Sequence, residues 1–236
     1  MYIMYLLITA FLPAFVPACI AVKQKISFSA LAAAFFAAAV SVVPVLVLQS
    51  IIHSFLDVII LNRPEAVRIL FNGFITAALT EESVKATVFS LTAAAFLKIR
   101  NARKVKNGLS TKGTEEYGRM EQPDTHRAGI VIALFFGFVF GGFENIFYGL
   151  RYPTLQLLRL CSASLVHGAL GIFYVRMIRA ETKRKSAAVF IAAVCLHGLY
   201  NFFISLGGLF ILPTAAVIGI ILLSSLRFAS DYPIKE

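Results

Sequence analysis

Apolar runs of about twenty residues follow one another along most of this chain, which fixes its surroundings before any single residue is considered. A helix needs about 20 mostly apolar residues to cross a bilayer. Windows of that length predict spans over 3–22, 26–48, 69–97, 128–150, 155–178, 186–206 and 207–226. The last two are separated only by Gly207 and Gly208, enough for a tight reversal. Segment 49–61 is apolar but short and interrupted by polar residues, so it either lengthens the second helix or lies in the membrane interface. The expected fold is all-α: a polytopic membrane helix bundle of about seven transmembrane helices, with 1–236 forming a single integral membrane domain.

Composition agrees. Hydrophobic residues make up 59% of the chain and charged ones 14%, against about 45–50% and about 25% in soluble domains. The net charge of +10 does not indicate nucleic acid, because the basic residues sit in short runs beside apolar segments with no nucleic-acid-binding motif. They do set an orientation. If seven spans alternate, Lys23, Lys25, loop 98–127, the run Arg176–Lys185 and the tail share one side, and only Arg63, Arg68, Arg151 and Arg159 lie on the other. The basic-rich side is expected to be cytoplasmic, which puts the C-terminus inside and the N-terminus outside. The first apolar run has no basic residues before it, so it reads as an uncleaved span rather than a signal peptide. Loop 98–127, with Glu115, Glu116 and His126, is expected to be a solvated cytoplasmic linker. Cys19, Cys161 and Cys195 all lie in apolar stretches and read as small lipid- or core-facing residues.

Charges inside the spans carry the functional signal. At mid-helix each charged residue costs about 2.5–3.5 kcal/mol, while each Leu, Ile, Phe or Val returns only about 0.3–0.6. The third span holds Glu81, Glu82 and Lys85 near its centre. Together they cost roughly 7–10 kcal/mol, which is hard to explain unless they face a protein interior or a wet cavity. Glu81 and Lys85 stand four residues apart in the better ion-pair orientation, with Glu82 turned to another face. A structural ion pair would explain Glu81 and Lys85 but not the adjacent second carboxylate.

The fourth span has Glu144 as its only charge, followed by Asn145. Gly137 and Gly141 precede it as G-x-x-x-G, a spacing that permits close helix approach. His167 and His197 sit at the centres of the fifth and sixth spans, and Asn201 shares a helical face with His197. Three Glu, two His and an Asn at similar depth can activate water and stabilise an oxyanion, with or without a metal.

Several chemistries are excluded. The chain has no H-E-x-x-H. Asp57, Asp124 and Asp231 lie outside span centres, so no intramembrane aspartyl dyad is available. Ser164 stands three residues before His167 but lacks a G-x-S-x-G elbow, and Cys195 and His197 point to different faces. His53 and Asp57, one turn apart at a span border, are unpersuasive as a site.

The segments E-E-S-V-K at 81–85, G-F-V-F-G-G-F-E-N at 137–145, mid-span His167 and H-G-L-Y-N at 197–201 resemble the PrsW family of intramembrane proteases, over about residues 69–206. The family is distantly similar to the CAAX prenyl endopeptidases and their bacterial relatives (the CPBP superfamily), whose pattern is E-E-x-x-x-R, F-x-x-x-H and H-x-x-x-N. This chain keeps the double glutamate and H-x-x-x-N. It has Lys85 one position before that Arg, and Glu144 where the second motif places His.

The resemblance implies hydrolysis of a peptide bond in a membrane-anchored substrate with a single transmembrane helix, such as an anti-sigma-factor-like protein, in the cell membrane. The expected catalytic set is Glu81, Glu82, Glu144, His167, His197 and Asn201, supported by Lys85 and Asn145. Glu81 and Glu144 would handle the water, and His197 and Asn201 the oxyanion. A divalent metal such as zinc, if bound, would be held by Glu81, Glu144, His167 and His197. The rival readings are a proton- or ion-coupled transporter and a non-catalytic membrane scaffold.

Overall fold

The computed structural model describes residues 1–106 and 122–230, and these residues are helical almost throughout. Helix α1 (Tyr2–Lys23) and helix α2 (Phe28–Ile60) are joined by a short turn, with the Ser27 side chain capping α2 at the Ala30 amide. Segment 49–61 therefore lengthens the second helix. Helix α3 (Glu65–Phe71) runs through a π-helical stretch, Asn72–Leu79, directly into α4 (Thr80–Lys106). Helix α5 is Gln122–Arg151, and a 3-10 turn at Pro153–Leu155 leads to α6 (Gln156–Cys161) and α7 (Ala163–Ile178). Helix α8 (Lys183–Leu206), capped by Thr182, and α9 (Ile211–Ser230) complete the bundle.

Six of the helical segments are long and apolar enough to cross a membrane. The expected span 69–97 lies instead on the composite helix from Glu65 to Lys106, whose charges keep it outside those six. Two further expectations change. Residues 98–106 and 122–127 extend α4 and α5 rather than belonging to a linker. Glu115 and Glu116 lie outside the described residues. His126, expected in solvent, is buried because α5 begins early enough to turn it inward. The expected span 155–178 is matched by a crossing segment at Leu157–Ile178, with an irregularity at Ser162 that separates α6 from α7.

Helices α5 and α7 form the centre. Every residue from Val166 to Val175 is buried. Helices α1 and α2 pack against α5, α4 against α2, and α9 against α7 and α8. The outer faces carry many large exposed apolar side chains, among them Phe36, Val58 and Leu223. Such a surface suits lipid and would aggregate in water. The three cysteines are also exposed on it.

Glycines let the central helices touch. A Cβ at Gly137 would lie 2.1 Å from the backbone oxygen of His167, and one at Gly171 would lie 2.2 Å from that of Ala133. The predicted G-x-x-x-G approach is thus real, and it brings α5 against the helix carrying His167. At the other end, Gly207 and Gly208 both adopt positive φ (64° and 54°), which glycine tolerates without penalty. That geometry makes the expected tight reversal between α8 and α9.

Gly137→Ala is expected to lower stability by at least about 1–3 kcal/mol, because the clash is with backbone and cannot be relieved by a rotamer change. Gly219→Ala, which meets open space, should leave stability unchanged or slightly raised. Thermal unfolding of both variants in detergent checks the contrast.

Candidate active site

The site is built where α4 leaves the π-helical stretch. A π-helical insertion widens the helix and often marks function. Here it lies against α8: Gly73 sits close to the Phe202 amide and the Gly198 carbonyl, and Phe74 covers Gly198. One turn later come Glu81, Glu82 and Lys85, all buried, as are His167 and His197.

Glu82 is the hub. Its Oε1 accepts from Lys85 Nζ at 2.5 Å and from His197 Nδ1 at 2.8 Å. Its Oε2 accepts from the Tyr174 hydroxyl at 2.7 Å. Lys85 pairs with Glu81 as expected, at 3.5 Å from Oε2, but its shorter contact is with Glu82. The reason is local. Residues three apart on a helix are neighbours as readily as those four apart, and Glu82 points to where His197 and Tyr174 also converge. Lys85 Nζ additionally meets His167 Nδ1 at 3.1 Å and lies over the Phe140 ring.

The histidine tautomers follow from these contacts. The Lys85 ammonium can only donate, so His167 Nδ1 accepts, and its Nε2–H donates to Glu144 Oε2 at 2.5 Å. His197 Nδ1–H donates to Glu82, which leaves the lone pair of Nε2 facing Glu81 Oε2 at 3.9 Å. The two imidazole rings stand nearly perpendicular, with centroids 5.1 Å apart.

Glu144 is held from the opposite side by Arg159 Nη2 at 2.9 Å. Arg159 Nε also donates to Asn145 Oδ1, and Asn145 Nδ2 donates to Ser164 Oγ. Ser164 is thereby occupied as a partner of Asn145. Asn201 lies on the wall of the adjoining cavity. His53 and Asp57 pair with each other on the exposed face of α2, away from this network.

Sequence reasoning missed Arg159, Tyr174 and Gln49. Arg159 had been counted with the outer-side charges, although it falls inside an expected span, which was the available signal. Tyr174 lies seven residues after His167 and so shares its face. Gln49 Nε2 donates to Glu81 Oε1 at 3.0 Å from the far part of α2, and only the packing of α2 on α4 reveals it.

A cavity of about 590 Å³ adjoins the network, enclosed by α2, the π-helical stretch, the end of α5, α6 and α8. Glu81 and Glu144 line it together with Gln49, Tyr148, Arg159 and Asn201, while Glu82 stands behind them.

Glu81, Glu82, His167 and His197 each offer a ligand atom within 4.8 Å of one another. Zinc binds N and O donors at about 2.0–2.2 Å, so a modest contraction would bring the four onto one ion. The residues fit a divalent cation in donor type. The charge balance fits as well, since the buried Glu81 and Glu82 and the half-buried Glu144 are paired, among the described residues, with Lys85 and Arg159 as cations. Lys85 Nζ stands among these donors as a cation in its own right and would have to withdraw from them. Glu144, expected among the ligands, lies on the Nε2 side of His167, and the group of four that could hold an ion includes Glu82 in its place.

A family model described as PrsW family intramembrane metalloprotease matches residues 27–226. The chain belongs to the PrsW family. No significant match is found among curated proteins or among solved structures. As a PrsW-family protein the chain carries an intramembrane protease domain, and with its six long apolar helices it is a multi-pass membrane protein.

Arg159→Met is expected to destabilise the protein by at least about 1–3 kcal/mol, because it removes the charged partner of a partly buried carboxylate. Adding Glu144→Gln should recover part of that loss, since the two residues share one interaction. Denaturation of the single and double variants measures the coupling, and strict additivity would contradict the pairing.

Proposed function

We propose that this PrsW-family protein hydrolyses a peptide bond of a membrane-anchored substrate with a single transmembrane helix, using a water held between Glu81 and Glu144. An anti-sigma-factor-like substrate is the class that the family suggests. The observation that carries the reading is the cavity: Glu81 and Glu144 present carboxylates to it, and the rest of the charged network braces them from behind.

Both oxygens of Glu144 are committed, one to Arg159 and one to His167. Glu81 Oε2 is more loosely engaged, with Lys85 at 3.5 Å and His197 at 3.9 Å. Glu81 is therefore the general base and Glu144 the positioning carboxylate. Glu81 takes a proton from the water as its oxygen adds to the scissile carbonyl, then returns that proton to the leaving amine. The side-chain amide of Asn201, on the cavity wall, donates to the developing oxyanion. His197 was expected to share that task. With Nδ1 committed to Glu82 it instead offers a lone pair beside Glu81 and helps hold the proton in transit. Glu82 and Lys85 fix the geometry. A divalent ion at Glu81, Glu82, His167 and His197 would supply Lewis-acid polarisation of the carbonyl and a more acidic water.

We take the basic-rich connections as cytoplasmic, a reading that would put Glu144 in the half of the bilayer away from them. On the same reading the cavity, which Glu144 lines together with the end of α5 and α6, would open to that side. Substrate would therefore be cut in the outer half of the cell membrane.

Purified protein in liposomes is expected to cleave a single-span reporter, with Glu81→Gln and Glu144→Gln each slowing cleavage by roughly 10²–10⁴-fold, the usual contribution of a positioned acid or base. Cleavage at the parental rate by both correctly inserted variants would refute the assignment. Any divalent metal that the wild type retains, measured on the same samples, is expected to be lost from His167→Ala and His197→Ala.

A further inference from the structure

A second cavity, of about 520 Å³, lies at the opposite end of the bundle. It is lined by the turn between α1 and α2, the N-terminal part of α2, the middle of α4, the start of α5 and the end of α7. One wall is a face of small residues on α2, from Ala30 to Ala37, and the facing wall carries Phe89, Phe96 and Phe136. The interior is thus apolar, and its volume falls in the range of about 300–1,000 Å³ usual for small-molecule sites.

The rim is basic. Lys25 and Arg179 line it, with Gln24 and Ser27 beside them, and no acid is found among the described residues that line it. Lys25 is held in a left-handed conformation (φ 55°) by a turn in which its amide bonds Val22 and that of Ile26 bonds Ala21. These two bonds close the C-terminal end of α1, where a left-handed residue is common, and they fix Lys25 at the mouth of the cavity. Arg179 follows the last turn of α7, and its guanidinium suits bidentate binding of a phosphate. An apolar chamber with two cations at its rim, both on the lysine-rich side of a membrane protein, matches one kind of molecule. That molecule has an apolar tail and an anionic head, and it resides in the surrounding leaflet.

We propose that this cavity binds an anionic glycerophospholipid from the leaflet on the lysine-rich side. One acyl chain would lie among α2, α4, α5 and α7, with the phosphate between Lys25 and Arg179. The walls include α4 and α5, which carry Glu81, Glu82 and Glu144 farther along, so an occupied cavity would brace the helices that position the site. The lipid site does not depend on the proteolytic reading and can hold if that reading fails.

The chain contains no tryptophan, so Phe96→Trp gives a single reporter on the cavity wall at the cost of a conservative aromatic change. In phosphatidylcholine liposomes, phosphatidylglycerol with brominated acyl chains is expected to quench this reporter at lower mole fraction than brominated phosphatidylcholine. The difference should be roughly fivefold per basic residue at the rim. Adding Lys25→Gln and Arg179→Gln should abolish the preference. A control reporter, Val40→Trp, on the exposed face of α2, should be quenched equally by both lipids. Mass spectrometry of lipid retained by the unsubstituted protein supplies a readout free of any folding defect, and phosphatidylglycerol should be enriched there. Equal quenching by the two lipids, or none, with no enrichment on the unsubstituted protein, would overturn the proposal and leave the cavity to annular lipid or to another polypeptide segment.

Discussion

The buried ion pair between Glu82 and Lys85 is the interaction on which the rest of this structure depends. Both side chains are almost wholly removed from solvent, where an isolated charge would be prohibitive. Their mutual contact offsets part of that cost, and hydrogen bonds from His197 and Tyr174 satisfy the remaining carboxylate capacity. Those partners come from α7 and α8, so the pair ties three helices to one point. Burying such a pair contributes little net stability compared with an apolar core. What it provides is registry: α4, α7 and α8 have to meet at a fixed depth, or the charges are left unpaired.

Registry at one depth is what a hydrolytic site in a membrane requires. With Glu82 and Lys85 fixed, Glu81 turns toward the cavity and His167 is held through Lys85. The close approach of α5 to α7, which lets Gly137 rest on the backbone of His167, brings Glu144 to the far nitrogen of the same ring. Glycine thus supplies proximity and the charged network supplies orientation. The polar segment is also where the helix departs from regular α geometry, in the π-helical turns before Glu81. There the lack of side chains at Gly73 and Gly198 lets the widened helix sit against α8.

Much of this was legible in the sequence, for physical reasons that can be named. Long apolar runs declare helices, and a Glu-Glu-x-x-Lys inside one of them has no inexpensive explanation other than an interior site. The two mid-span histidines and Glu144 followed by the same reasoning, and the family that these segments resemble is the one whose model matches the chain. Helical spacing fixes which residues can meet along one helix but not which contact is shorter, so the Lys85–Glu81 pair was legible while the closer approach of Lys85 to Glu82 was not. Contacts between helices distant in sequence were beyond it, as the bond from Gln49 to Glu81 illustrates. Arg159 was passed over as a site residue for a different reason: charge counting treats a basic residue near a span end as a topology marker and says nothing of the carboxylate it meets, here Glu144. The helical extensions into 98–106 and 122–127 were hidden because polar, charged sequence reads as a linker when the lipid-facing pattern stops.

The central claim is that peptide bonds are hydrolysed at this network, at its own depth in the membrane. The most direct test is to map the scissile bond in a single-span substrate cleaved by the purified protein in liposomes, from the intact masses of both fragments. The account predicts one principal cut inside the apolar segment, in its outer half at the level of Glu81 and Glu144. A cut in the soluble flanks, or at a position indifferent to depth when the substrate helix is lengthened at its outer end, would contradict it.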